Sequence, residues 1–180
     1  MPRAFHRTSL MPLLGVLLLS SCGDERAFPV RTYNMGEKVE LGHINYQVFE
    51  TQWLTHMGEG ADARVPQQRY FLVRIAAINS GGADVMVPTM SIQDDSGTVY
   101  NELSDGTGVP EWAGYLRSVK PALAARGNII FDAPPRHYKL KVTDESGERT
   151  ALIDIPLNFE AETPEVVSPS LGKDKDKEKK

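Results

Sequence analysis

The chain has 180 residues, a formal net charge of −4, 41% hydrophobic and 8% aromatic residues, and one cysteine. That length allows one ordinary domain with extensions. The acidic balance, spread along the chain, argues against a nucleic-acid partner, which needs a concentrated basic face. A lone cysteine excludes an intramolecular disulfide, so the fold must be held by an apolar core, which a stretch of roughly 120 residues can supply.

Residues 1–21 read as an address. Arg3, His6 and Arg7 make a basic start, Leu10–Leu19 is a short apolar stretch, and Ser20-Ser21 supply small residues. This is the pattern of a secretory signal peptide, with an apolar part too short to span a bilayer comfortably. Leu19-Ser20-Ser21-Cys22 resembles the lipobox of bacterial lipoproteins. The resemblance implies that Cys22 becomes the N-terminus and carries a diacylglyceryl group and an N-acyl chain. The membrane is then a partner through this anchor, since two or more acyl chains hold where one is marginal. Gly23, not Asp, follows Cys22. In the resemblance this implies the outer membrane, facing the periplasm, if the source is Gram-negative. Losing Arg3 and Arg7 takes the formal charge from −4 to −6, which gives the domain no electrostatic reason to bind an anionic surface.

Residues 22–36 have mixed charges, Pro29, Gly36 and no sustained period, and are read as a tether. The domain is expected over residues 37–159. Glu37–Gly42 is a first strand. Ile44–Leu54 is a second, with Ile44, Tyr46 and Val48 on one face and then Phe49, Thr51 and Trp53, a phase change that implies a bulge. Tyr70–Asn79 is apolar on both faces, with Arg74 as its one charge, and belongs in the middle of a sheet. Val85–Asp94 contains Pro88, which implies an edge or a bulge. Asp94-Asp95-Ser96-Gly97 is a tight turn, and Thr98–Glu102 returns as a strand. Leu103–Ala113 is irregular, with one helical turn expected near Pro110–Tyr115. Leu116–Val119, Asn128–Asp132, His137–Thr143 and Thr150–Phe159 complete the strands. In the last of these Ile153, Ile155, Leu157 and Phe159 share a face. The pattern is all-β, an antiparallel two-sheet immunoglobulin-like sandwich. Residues 160–180 form a charged tail that can bury nothing and is expected to be disordered.

Three stretches carry a further resemblance. They are Phe71–Asn79 with the small residues after it, Ser91–Tyr100, and Lys120-Pro121 through Arg126-Gly127 to Ile130-Phe131-Asp132-Ala133-Pro134. Together they resemble the telokin-like, immunoglobulin-fold surface lipoprotein domain family of unknown function. Pro121 and Gly127 are further apart here than in that pattern. The family implies a binding or structural role in the cell envelope and carries no catalytic residues to transfer.

No Gly-x-Ser-x-Gly elbow, His-Glu-x-x-His or phosphate-binding Gly-rich loop occurs. Ser170-Leu171-Gly172-Lys173 has Ser-x-x-Lys spacing, but in the tail nothing fixes the geometry a nucleophile needs. The reading is a non-catalytic binding or scaffolding domain in the cell envelope, with an unidentified envelope protein or ligand as partner, and an envelope enzyme of unrecognised arrangement is the third reading after copper delivery. Trp112, Tyr115 and Glu111, in the long loop, are the candidate partner contacts, or a lid on one end of the sandwich. Copper delivery is the alternative, because soft thioethers and imidazoles suit Cu(I). His56 and Met57 are its main candidates, with His43 and then Met86 and Met90, although core packing is the ordinary use of methionine. Glu102, Asp105 and Glu111 lack the spacing of a calcium loop. Trp53 is expected to pack in the core.

Overall fold

Tyr70–Asn79 forms a strand over the whole expected range, inside a sheet rather than at its edge. The computed structural model describes residues 28–58, 60 and 63–158. The signal peptide, Cys22, Phe159 and the 160–180 tail lie outside the described residues. The strands in chain order are β1 (Arg31–Asn34), β2 (Val39–Leu41), β3 (Ile44–Leu54), β4 (Tyr70–Asn79), β5 (Val85–Val87) and β6 (Ser91–Asp94). They continue with β7 (Val99–Asn101), β8 (Arg117–Val119), β9 (Ala124–Asp132), β10 (Tyr138–Thr143) and β11 (Thr150–Ile155). One sheet has the order β1-β11-β10-β6-β7, the other β2-β3-β4-β9, and β5 pairs with β8 as a ribbon.

The two sheets close on a shared core. Phe71, Val73, Ile75 and Ala77 of β4 pack in one cluster with Ile92, Tyr138, Leu140, Val142, Ile153 and Ile155 of the opposite sheet. Alternation along β10 and β11 puts these residues inward and their neighbours outward. Each large apolar side chain so buried contributes about 1.5–3 kcal/mol. Trp53 stacks on Phe71 with ring centroids 4.2 Å apart, and Tyr138 reaches Phe71 from the other sheet at 5.8 Å.

The bulge in β3 lies where the apolar phase changes, between Val48 and Glu50. Phe49 is the extra residue and is exposed, not inward as expected, while Thr51 and Trp53 resume opposite Val73 and Phe71. Asp94 and Asp144 each close a turn by accepting backbone N–H groups on a side-chain oxygen, from Ser96 and Thr98 in the first and from Arg149 in the second.

Several expectations are corrected. Arg31–Asn34, read as tether, is a strand that pairs with β11 in parallel, so the sandwich is not wholly antiparallel. Val85–Asp94 is two strands in different sheets, β5 and β6, with Pro88 in the crossover. Proline cannot donate to a ladder, and here it ends one sheet's strand before the next begins. The chain at Pro110–Tyr115 forms no helical turn, and β9 begins at Ala124, four residues before the apolar run. The last strand stops at Ile155, before Pro156, and Leu157 is exposed.

Candidate functional site

β4 has a second apolar face, and this face needs a cover. Tyr70 and Leu72 point away from the main core and pack with Met57, Val109 and Ile130 into a smaller cluster, flanked by Leu54 and Leu103. The irregular 103–113 segment supplies that cover. Leu103 N donates to Ile130 O at 2.8 Å. Arg64 pins the segment from the other side, donating from Nη1 to Thr107 O at 2.6 Å and pairing through Nη2 with Asp105 Oδ2 at 3.1 Å.

The segment then docks on the outer edge of β9. Glu111 O accepts from Asn128 N at 2.9 Å, Ala113 N donates to Asn128 O at 3.0 Å, and Asn128 Nδ2 donates to Pro110 O at 2.7 Å. This closes an edge that would otherwise be open to pairing with another chain. The approach is close enough that a Cβ on Gly127 would collide with the Glu111 carbonyl and with Ala113. Gly127 also sits at φ +144°.

A polar groove of about 150 Å³ remains between this segment and the sheet. Arg74 is its centre. Across the sheet, Glu50 of β3 lies opposite Arg74 on one side and Asn128 of β9 on the other. The bulge matters here, because without the extra residue Phe49 would oppose Arg74 in place of Glu50. Glu111 closes the row from above, with Oε2 accepting from Arg74 Nη2 at 2.5 Å. Glu111 has φ +46°, uncommon for a residue with a side chain. Such conformations cluster where a site imposes them. Gln52, Leu72 and Pro110 line the rest.

Of the expected contacts, Glu111 thus lies in the groove. Trp112 is beside it, 37% exposed, with its ring against Gly106, where there is no room for a Cβ. Tyr115 is half-buried beyond it. Arg74 and Glu50 belong to the site but carried no signal in the sequence except that Arg74 is the one charge in an apolar strand. The groove can receive a polar partner through one guanidinium, two carboxylates and two amides, next to an indole.

The copper candidates are not brought together. His56 is exposed, with Nδ1 3.1 Å from Thr55 Oγ1, whereas Met57 is 3% exposed and belongs to the smaller cluster. His43 precedes β3 and His56 follows it, so eleven strand residues separate them, roughly 35 Å. His43 Nδ1 is instead 2.5 Å from Glu145 Oε1. Met90 is in the core, but Met86 points out from β5. Among the described residues no three His, Cys, Asp or Glu side chains are grouped to hold a metal ion. The calcium candidates are also apart. Glu102 is buried on Arg117, Asp105 is on Arg64 and Glu111 is on Arg74. The Asp105 carboxyl is held below the usual carboxylate range, first by hydrogen bonds from Thr107.

This is a β-sandwich protein, and several solved structures are similar to it. The YjhA protein of Bacillus subtilis is 14% identical with a TM-score of 0.54, over 68% of this chain and 98% of that one. MPT63, a secreted protein of Mycobacterium tuberculosis, is 15% identical with a TM-score of 0.54, over 72% of this chain and 99% of that one. A functionally unknown protein of Listeria monocytogenes is 11% identical with a TM-score of 0.50, over 68% and 82%. Identities this low show the shared fold alone. No family model matches the sequence, and no curated protein matches it.

Proposed function

We propose that the protein is a bacterial lipoprotein whose sandwich acts as a non-catalytic binding domain in the cell envelope. The anchor is the lipid on Cys22, supported by the signal-peptide pattern and by Leu19-Ser20-Ser21-Cys22. The resemblance to the telokin-like surface lipoprotein domains and the fold shared with a secreted protein fit this reading. The observation that carries the binding role is Arg74 held between Glu50 and the left-handed Glu111, beside the exposed Trp112. Core packing requires none of these four side chains at this place. A rigid sheet presents them, and the lipid raises their local concentration at the membrane.

The test is a photo-reactive amino acid in place of Trp112 in the full-length protein, irradiated in cells. A discrete adduct that disappears when Arg74→Ala is added supports the groove. No adduct, or the same adduct from a probe at Lys141 on the opposite sheet, overturns it. In the same cells Cys22→Ser should move the protein out of the membrane fraction.

A further inference from the structure

The first and last strands run parallel, with Arg31 opposite Ala151 and Asn34 opposite Asp154. The chain therefore enters the sandwich at one pole and passes Ile155 at the other. The entry pole is tied together across both sheets. Arg149, in the β10–β11 turn, lies over the Phe28 ring with its guanidinium carbon 4.6 Å from the ring centroid. Glu145 of the same turn accepts from His43 N at 3.1 Å and meets His43 Nδ1 at 2.5 Å. His43 O accepts from Ser80 N at 2.8 Å, and Asn79 N donates to Leu123 O at 2.9 Å. This pole exposes three large apolar side chains, Phe28 at 49%, Val30 at 56% and Leu123 at 56%. Arg31, Lys120 and Arg149 stand among them and are exposed.

We propose that this pole rests against the lipid bilayer and that the opposite pole, with the Arg64–Gln68 and Gly106–Val109 segments, faces away. The inference builds on the Cys22 anchor proposed above. Residues 23–30 separate Cys22 from β1. Whatever their path, nine residue steps reach at most about 30 Å. The sandwich is itself roughly 35 Å long, from the eleven residues of β3. The tether joins at the entry pole, so that pole stays within about 30 Å of the bilayer, while the far pole can stand a strand-length further out. Apolar side chains are exposed at both poles, with Val65 at 76% and Leu157 at 41% at the far one, and the entry pole also carries the exposed Asp84 and Glu148. The orientation therefore follows from where the tether joins, and Phe28, Val30 and Leu123 are the groups that this places nearest the acyl chains. The groove around Arg74 then lies halfway up the domain and Trp112 beside it, clear of the lipid and open to partners in the aqueous envelope.

Cys22 is the sole cysteine of the chain, and its lipid thioether leaves no free thiol. A single introduced cysteine can therefore be labelled in the full-length lipidated protein. Leu123→Cys and Glu148→Cys mark the entry pole, and Gln67→Cys and Thr107→Cys mark the far one. All four positions are exposed. Each fluorophore-labelled protein is placed in phosphatidylethanolamine–phosphatidylglycerol vesicles that carry a headgroup-bound quencher. Several-fold stronger quenching at Leu123 and Glu148 than at Gln67 and Thr107 is expected. Equal quenching at the two poles, or stronger quenching at the far pole, overturns the orientation. Intact mass and vesicle flotation read the anchor separately. Protein without the lipid mass overturns both the anchor and this proposal, whereas lipidated protein with equal quenching overturns the orientation alone.

Discussion

Arg117 and Glu102 form an ion pair sealed inside the sandwich, with side chains 1% and 0% exposed. Glu102 Oε2 also accepts from Met90 N at 3.1 Å, whereas Arg117 Nε and Nη1 have no hydrogen-bond partner. Burial pushes the Arg117 pKa down to about 10, which leaves it charged at neutral pH. Removing one partner strands the other charge in the interior, at a cost of about 3–5 kcal/mol. Glu102→Gln should therefore lower the denaturant-unfolding free energy by about that amount. The double variant Glu102→Leu, Arg117→Met removes both charges and the two orphan donors, and should cost less than the single change. A double variant less stable than Glu102→Gln would show that the pair contributes net stability.

This pair was invisible in the sequence, and the reason is physical. Glu102 follows an ordinary short strand and Arg117 opens another, and neither position carries a pattern that marks it as interior. The β4 strand was legible because apolar residues on both faces leave a chain no other place. The bulge was legible because the inward phase changes across Phe49. The strand β1 was not, because Arg-Thr-Tyr-Asn is short, mostly exposed and without alternation. Its hold is the ladder with β11. The start of β9 was missed for a similar reason, since Ala124-Ala125-Arg126-Gly127 lacks large apolar residues. In the site, Glu111 and Trp112 stood out as loop residues. Their neighbours Arg74 and Glu50 are distant in sequence, and the register that aligns them depends on one bulged residue. His43 and His56 look close along the chain, but an extended strand carries them to opposite poles.

His137 lies between two carboxylates on different elements, with Nδ1 3.0 Å from Asp95 Oδ1 and Nε2 2.9 Å from Asp154 Oδ1. Partial burial pulls its pKa down, but the hydrogen bonds and charges of Asp95 and Asp154 outweigh this and hold it above the ordinary value. Both ring nitrogens donate only when the ring is protonated. The contribution is thus complete below the unfolded-state pKa and is lost as pH rises through the raised native value. His137→Gln should destabilise the protein at about pH 5 and have little effect at about pH 9. Paired urea titrations at the two pH values measure this, and a loss that grows with pH would contradict it.

Gly127 lets the 110–113 segment lie on β9, so its replacement should act on the loop as well as on the backbone. Gly127→Ala meets both an unfavourable φ of +144° and the Ala113 backbone, with Ala113 N 2.9 Å from the added carbon. Gly147→Ala, at φ +78° with nothing within 4 Å, meets backbone strain without a contact. Each should cost more than about 1 kcal/mol, and Gly127→Ala the greater amount. A red shift of tryptophan emission is expected in Gly127→Ala alone, because lifting the segment exposes Trp112 while Trp53 stays stacked on Phe71. Matching emission spectra in the two variants would mean that Gly127 does not hold the loop down.

Binding and packing at the groove can be separated by their different effects on stability. The Arg74–Glu111 pair is exposed, 43% and 64% at the side chains, and exposed pairs contribute only about 0.2–1 kcal/mol. Glu111→Ala also removes a carboxylate that the partner would meet. It should leave the melting temperature nearly unchanged and sharply reduce adduct formation from a photo-probe at Gln52, on the far wall of the groove. Trp112→Ala should behave alike if the indole is a contact, since its ring lies outside both hydrophobic clusters and rests against Gly106. If Trp112→Ala instead lowers the melting temperature in step with adduct yield, the indole serves as a cover for the loop. The groove would then depend on Trp112 for its shape, and contact with the partner would fall to Arg74, Glu50 and Glu111.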